Sequence, residues 1–346
     1  MSRGDACDIC THPVFLSQRC LPRAEVDEVF LRSTMTTMVN TPTVLILGAG
    51  ASMPYGFPSG FGLLKEVQEC CSGPRNGSVG REASSVRLRP ELLAEMAKLL
   101  SVAPVKSIDA FLEQRDEFLD EGKFAIAHRL MPYELEDILF KLENRGDSWY
   151  QHLFDSVYTR KFEDVKRNRL SILTYNYDRS LEHFLHVSVR AIYKKGDDEV
   201  ATMLTNIPVI HLHGSLGKYS CDGKGGRRYR PAETIEDLKH AMAAIKVIGE
   251  DIDVSQDPQF RRAHELFREA KRVVFLGFGY HPLNLSRLNV EKHIDENAEI
   301  FGTCKGMWPV DIANLKSNLG RLPIGVGVMP EPPDNLKFLR THDVLS

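Results

Sequence analysis

The strongest pattern along the chain is a set of short apolar runs that end in glycine or polar residues. Val44-Leu-Ile-Leu47 runs into Gly48-Ala-Gly-Ala-Ser52, and Val273 to Leu276 runs into Gly277-Phe-Gly279. Leu170 to Thr174 leads into Tyr175-Asn-Tyr-Asp178, and Val209 to Leu212 into His213-Gly-Ser215. Continuous apolar runs bounded in this way mark parallel strands buried on both faces. Glu299 to Phe301 reads as a weaker fifth strand.

Helical spacing occupies the intervals. A helix is predicted near Phe61 to Cys70, another from Arg179, and two more near 235–247 and 258–270. Residues 72–90, rich in Gly, Ser, Pro and Arg, read as a loop. From about 84 to 165 the apolar residues recur every three or four positions, as in Leu92, Met96 and Leu99, in Leu135, Ile138 and Leu139, and in Tyr150, Leu153 and Val157. The predicted fold class is therefore α/β: a Rossmann-like parallel sheet flanked by helices, with an inserted all-helical subdomain. Residues 41–346 form one predicted domain. Residues 1–40 show no period and read as a flexible arm, or as sequence upstream of the natural start. Cys7, Cys10, His12 and Cys20 in that arm have no matched second pair of ligands, so no metal is expected there.

Composition narrows the function. The formal net charge of -3 provides no basic field, so direct nucleic-acid binding is not expected. No apolar run approaches the length of a membrane span, and the N-terminus lacks the apolar core of a secretory signal. The seven cysteines form no disulfide framework, and a cytoplasmic protein is predicted. Lys224, Arg227, Arg228 and Arg230 read as a solvated loop. Asp109 and Glu113 read as acidic residues favouring a helix N-terminus.

The candidate chemistry sits where the strands end. A glycine-rich turn between a parallel strand and a helix lets backbone N–H groups approach a phosphate; a bare tight turn is the alternative. The acidic residue of a standard dinucleotide fingerprint, about twenty positions on, is not evident. Asn176 can orient a ribose hydroxyl or a water, and Asp178 can cap the following helix, bind ligand, or both. Strand alternation puts His211 and His213 on one face. His213, nearer the tip, is the candidate proton acceptor, and His211 reads as structural.

Taken in order, Gly48-Ala-Gly-Ala-Ser52 with Gly56 and Pro58, Thr174-Tyr-Asn-Tyr-Asp178, His211-Leu-His-Gly-Ser215 and Val273 to Gly279 resemble the sirtuin family. The likeness spans roughly residues 43–305. It is closer to the divergent sirtuin-like NAD hydrolases of bacterial anti-phage defence than to the protein deacylases. The resemblance implies NAD as substrate, with Gly48, Ala49, Gly50 and Ser52 along its phosphate and ribose region. It implies Thr174, Asn176 and Asp178 at the nicotinamide ribose, His213 as general base, and Gly277, Phe278 and Gly279 on the adenosine side. Cleavage would give nicotinamide and ADP-ribose, by an enzyme held inactive until triggered. A homo-oligomer, or a partner ATPase of the HerA-like kind, would supply that control.

Three departures weigh against deacylation. Between His213 and Gly277 the only cysteine is Cys221, so the two-CxxC zinc module is missing. Pro58-Ser-Gly-Phe61 lacks the arginine of the deacylase pattern, and Tyr175 stands where glutamine is usual. A protein deacylase or ADP-ribosyltransferase, and a non-catalytic NAD or ADP-ribose sensor, are the alternative readings.

Overall fold

A computed structural model describes residues 38–74, 77–141, 146–247, 254–320 and 334–346. The predicted arm up to residue 37, with Cys7, Cys10, His12 and Cys20, lies outside the described residues. Val39 is already fully buried, and its N–H donates to Asn168 Oδ1 at 2.9 Å.

Five strands form one parallel sheet: β1 Thr43–Leu47, β2 Leu170–Thr174, β3 Val209–His211, β4 Arg272–Leu276 and β5 Glu299–Gly302. Their order is β3-β2-β1-β4-β5, so the predicted Rossmann-like α/β architecture is present. All five residues of central β1 are buried, whereas edge strand β3 is only half-buried. Successive side chains of a strand face opposite ways. Leu45 and Leu47 accordingly join the core under the helices that follow β1, and Val44 and Ile46 join the core on the opposite face. Each such burial contributes roughly 1.5–3 kcal/mol.

Between β1 and β2 the described residues form helices and no strand. They are α1 Ala49–Ser52, α2 Gly60–Cys71, α3 Ser78–Ser85, α4 Pro90–Leu100, α5 Ile108–Leu112, α6 Leu119–Leu130, α7 Glu136–Leu139 and α8 Trp149–Val157. Helix α3 lies inside the expected 72–90 loop. Its buried positions are Gly80 and Ala83, residues too small to register as a hydrophobic stripe. Then come α9 Ser180–Tyr193 and α10 Asp197–Leu204 before β3, and α11 Ile235–Ala244 and α12 Pro258–Glu269 before β4. Helices α13 Pro282–Leu288, α14 Val290–His293, α15 Pro309–Leu319 and α16 Asn335–His342 complete the described chain.

Two clamps tie the helical insertion to the sheet. At the first, Trp149 Nε1–H donates to Ala51 O at 2.8 Å, and the Tyr55 and Tyr150 rings stack at 3.7 Å. At the second, Arg179 binds Glu134 through Nε at 2.8 Å and Nη2 at 2.6 Å, a bidentate pair with both side chains fully buried. Arg227 binds the same carboxylate and donates to Leu216 O at 3.0 Å. The expected solvated loop is thus corrected at Arg227, which is 3% exposed because Glu134 draws its guanidinium inward.

The strand order reverses between β1 and β4, the place where open α/β sheets hold ligands beyond their strand ends. Here the two glycine turns touch. A Cβ on Gly48 would stand 2.7 Å from Gly277 O and from Phe278 Cα, and one on Gly50 would stand 2.8 Å from Gly277 Cα. Gly277 has φ +57°, and a Cβ there would overlap Ala51 N. Gly277→Ala is therefore expected to destabilise the fold by roughly 3 kcal/mol or more. Chemical denaturation checks this; a midpoint equal to wild type would refute the contact.

Candidate functional site

The ends of β1 and β2 are joined by a chain of hydrogen bonds that begins at Asn176. Its Nδ2 donates to Gly48 O at 2.9 Å and to Ser52 Oγ at 2.9 Å. A carbonyl cannot donate, so the contact with Gly48 fixes which amide atom is nitrogen. Ser52 Oγ passes its own proton to Asp178 Oδ2 at 2.6 Å. Asp178 Oδ1 accepts from the Ser180 N–H at 3.1 Å and from the Ser180 hydroxyl, and Tyr150 OH donates to Ser180 Oγ at 2.7 Å. Burial raises the Asp178 carboxyl above the ordinary range, and the Ser180 and Ser52 donors counter part of that rise. Asp178 thus caps α9 and binds Ser52 at once. Thr174 Oγ1 accepts the Asn176 N–H at 3.0 Å and shapes the turn.

A second group meets the first from the helical insertion. Asp109, on α5, accepts a hydrogen bond from the Tyr177 hydroxyl, and its Oδ1 lies 3.7 Å from His213 Nδ1, an ion-pair rather than hydrogen-bond distance. Burial alone would raise the Asp109 carboxyl. His213 and Tyr177 outweigh it, and the net shift is downward, which keeps Asp109 anionic near neutral pH. His213 is 3% exposed, and the Tyr175 ring meets its imidazole edge-on at 4.9 Å. Its Nε2 is buried without a hydrogen-bond partner, a costly condition in a folded protein.

His211 supports the floor of the site. Its Nδ1 lies 2.8 Å from Asn176 O and its Nε2 lies 2.7 Å from Glu182 Oε1. The carbonyl demands a proton on Nδ1, and the carboxylate favours one on Nε2, so both partners favour the imidazolium form. Burial opposes this charge, but Glu182 and the Asn176 carbonyl prevail and the net shift is upward. The structural reading of His211 thus has a specific partner set.

Two cavities flank α1. A small one, about 80 Å³, is lined by residues including Ala49, Ser52, Asp109, Tyr175, Asn176 and Asp178. A larger one, about 570 Å³, is lined by Gly50, Met53, Gly277 to Gly279, Thr303, Lys305 and Asn335 among others. Ligand pockets commonly measure about 300–1,000 Å³, so only the larger is of that size as it stands. The sequence-predicted residues therefore divide. Ala49, Ser52, Asn176 and Asp178 meet at the small cavity, and Gly50, Gly277, Phe278 and Gly279 at the large one. Gly48 packs under Phe278, Thr174 is buried in the turn, and His213 lies behind Asp109 and Tyr175.

The first turn is less open to phosphate than a bare glycine motif implies. Gly48 N–H donates to Leu276 O at 3.1 Å, Gly50 N–H to Gly277 O at 2.9 Å, and Ala51 N–H to Gly48 O at 2.8 Å. Gly279 is exposed with open space where a Cβ would stand, and it offers a close backbone approach.

Asp109 is the group that sequence reasoning missed. Helical spacing marks the region of α5 but not the direction of Asp109, and an acid in a first turn has a ready explanation in the helix dipole. The pairing of Ser107 as cap with a buried Ile108 and Phe111 shows that α5 is docked, which turns Asp109 to the sheet.

No protein-family model and no curated protein matches this chain. Among the described residues no helix is long and apolar enough to cross a membrane.

The His211–Glu182 pair generates a pH prediction. A histidine raised above its ordinary 6.5 contributes stability that is full below 6.5 and is lost as pH rises through the folded value. His211→Gln should therefore cost more stability at pH 6 than at pH 9. Urea midpoints of both proteins at the two pH values test this; an equal or larger cost at pH 9 would show that the pair is not charged as described.

Proposed function

We propose that this chain is an NAD hydrolase that cleaves the nicotinamide–ribose bond and releases nicotinamide and ADP-ribose. The observation that carries the reading is the meeting of Asn176, Asp178 and the anionic Asp109 around one cavity at the carboxyl edge of β1 and β2. The larger cavity beside Gly277 to Gly279 has the size for a nucleotide half. The sirtuin-like order of motifs supplies the choice of NAD.

The chemistry asks little of the protein at the leaving group. Nicotinamide departs from NAD as a neutral ring from a cationic one, so no general acid is required. Positive charge grows on the ribose as the bond breaks, as in other glycosidic cleavages. Asp109 offers a carboxylate to that charge, and a fixed charge in a water-poor site is an effective stabiliser. Asn176 Nδ2 is engaged with Gly48 and Ser52, which leaves its Oδ1 to accept from the attacking water or a ribose hydroxyl. His213, 3.7 Å beyond Asp109, is the acceptor the resemblance implies for the proton that the water releases; it would take that proton in its neutral form, once the two groups close to hydrogen-bond distance.

The 80 Å³ cavity must widen to admit the nicotinamide ribose. This fits an effector at rest, and a homo-oligomer or a HerA-like partner ATPase is the trigger the resemblance implies. Anti-phage defence is the setting the same resemblance gives. The small cavity also favours a second reading, a sensor that holds NAD or ADP-ribose in the larger cleft without turnover.

The test is incubation of the full chain with NAD, with chromatography of nicotinamide and ADP-ribose. Asn176→Ala, His213→Ala and Asp109→Asn are each expected to lower the rate by about 100-fold or more, with melting temperatures reported beside them. Rates within a few-fold of wild type would remove the assigned roles. NAD-dependent stabilisation with no products, in the presence of candidate partners as well, would establish the sensor.

A further inference from the structure

Away from the sheet's carboxyl edge, three segments bring ligating side chains to one point. His186 comes from α9, Asp197 from the first turn of α10, and Cys221 from the loop after β3. Their ligand atoms all lie within 4.8 Å of one another. We propose that His186, Asp197 and Cys221 form a binding site for a zinc-type divalent cation, with water in the fourth position.

The donor set selects the ion. An imidazole, a carboxylate and a thiol together suit zinc, whereas calcium and magnesium take oxygen alone. The His186–Asp197 pair needs only a small movement, and the Cys221 sulfur closes from within 4.8 Å. Tetrahedral zinc bonds of about 2.0–2.3 Å set neighbouring ligand atoms roughly 3.3–3.6 Å apart. His186 Nε2 and Asp197 Oδ1 stand at 2.9 Å, hydrogen-bonded, and open by about half an ångström to admit an ion between them.

The ligands sit on supports that hold them in place. His186 is 2% exposed, and its ring meets Tyr219 edge-on at 5.8 Å. Cys221 rides a turn closed by Ser220 N–H to Arg227 O at 3.1 Å and Arg227 N–H to Lys218 O at 2.8 Å. The base of that turn is the buried Arg227–Glu134 clamp. The surroundings are anionic toward the thiol: burial, then Asp197 and Asp222, push the Cys221 thiol upward, and a cation would reverse that. Arg190 Nε competes for Asp197 at 3.5 Å, but its side chain is 57% exposed and free to swing into solvent.

Binding must release the thiol proton, and the imidazole proton on Nε2 must leave or move to Nδ1. The ion would cross-link α9, α10 and the loop, and so secure the segment that also carries Arg227.

The experiment uses the full chain, stripped by a chelator and titrated with cobalt(II) alone. A thiolate-to-cobalt charge-transfer band saturating near one equivalent, and erased by zinc(II), is expected. Cys221→Ser should abolish the band and the rise in melting temperature given by zinc. Asp197→Asn, which keeps the side chain's shape, should weaken zinc binding tenfold or more, and covers the case in which the cysteine variant does not fold. Absence of the band in wild type, or a band and zinc stabilisation unchanged in Cys221→Ser, would overturn the site, since the other cysteines remain in that variant.

Discussion

The arrangement rests on the contact between two glycine turns. β1 and β4 run side by side, and the chain leaving each must turn in the same small space. Only backbone fits there: Gly48 and Gly50 face Gly277 and Phe278 at distances that exclude a Cβ. The consequence reaches outward in both directions. Gly50 N–H binds Gly277 O, which sets the start of α1, and Gly277 N–H binds Thr303 Oγ1, which registers the end of β5. The two cavities open on either side of α1 because this contact fixes where α1 begins.

The polar chemistry is built on the same contact. Asn176 holds Gly48 O, so the amide that would face substrate is also a strut of the first turn. Ser52, Asp178, Ser180 and Tyr150 then form a buried network in which the hydroxyl protons have defined acceptors. Networks of this kind stabilise when every member is partnered and are expensive when one is not. Outside that network, His213 Nε2 is one of several buried side-chain atoms without a hydrogen-bond partner among the described residues. The atom of His213 that faces Asp109 is the other ring nitrogen, Nδ1.

Much of the fold was legible because burial on both faces leaves runs such as Val44 to Leu47 with no alternation. All five strands and their parallel arrangement follow from that signal and the helices between. Helix α3 was not legible, because a helix that buries Gly80 and Ala83 carries no apolar stripe. Side-chain partners were legible only where local. Asp178 could be read as a cap from the helix expected to start at Arg179, but the pairing of Asp109 with Tyr177 and His213 joins residues far apart in the chain. Arg227 looked solvated in a run of arginines, and only Glu134, from another segment, shows that it is buried. The glycine motif has a structural use that its sequence does not announce. Glycine does allow close approach, but at Gly48 and Gly50 the approaching group is another backbone.

The helical insertion is coupled to the small cavity at more than one point. Tyr150 of α8 reaches Asp178 through Ser180, Glu134 grips Arg179 next in sequence to Asp178, and Asp109 of α5 supplies a wall of the cavity. A shift of these helices against the sheet would move all three contacts together. Packed interfaces respond to such shifts by switching between arrangements rather than by deforming smoothly. Widening of the small cavity is therefore more economically achieved by a movement of the insertion than by side-chain rotation within the pocket, where Asn176, Ser52 and Asp178 hold one another in place. A force applied to the insertion would therefore reach the cavity without contact at the cavity itself.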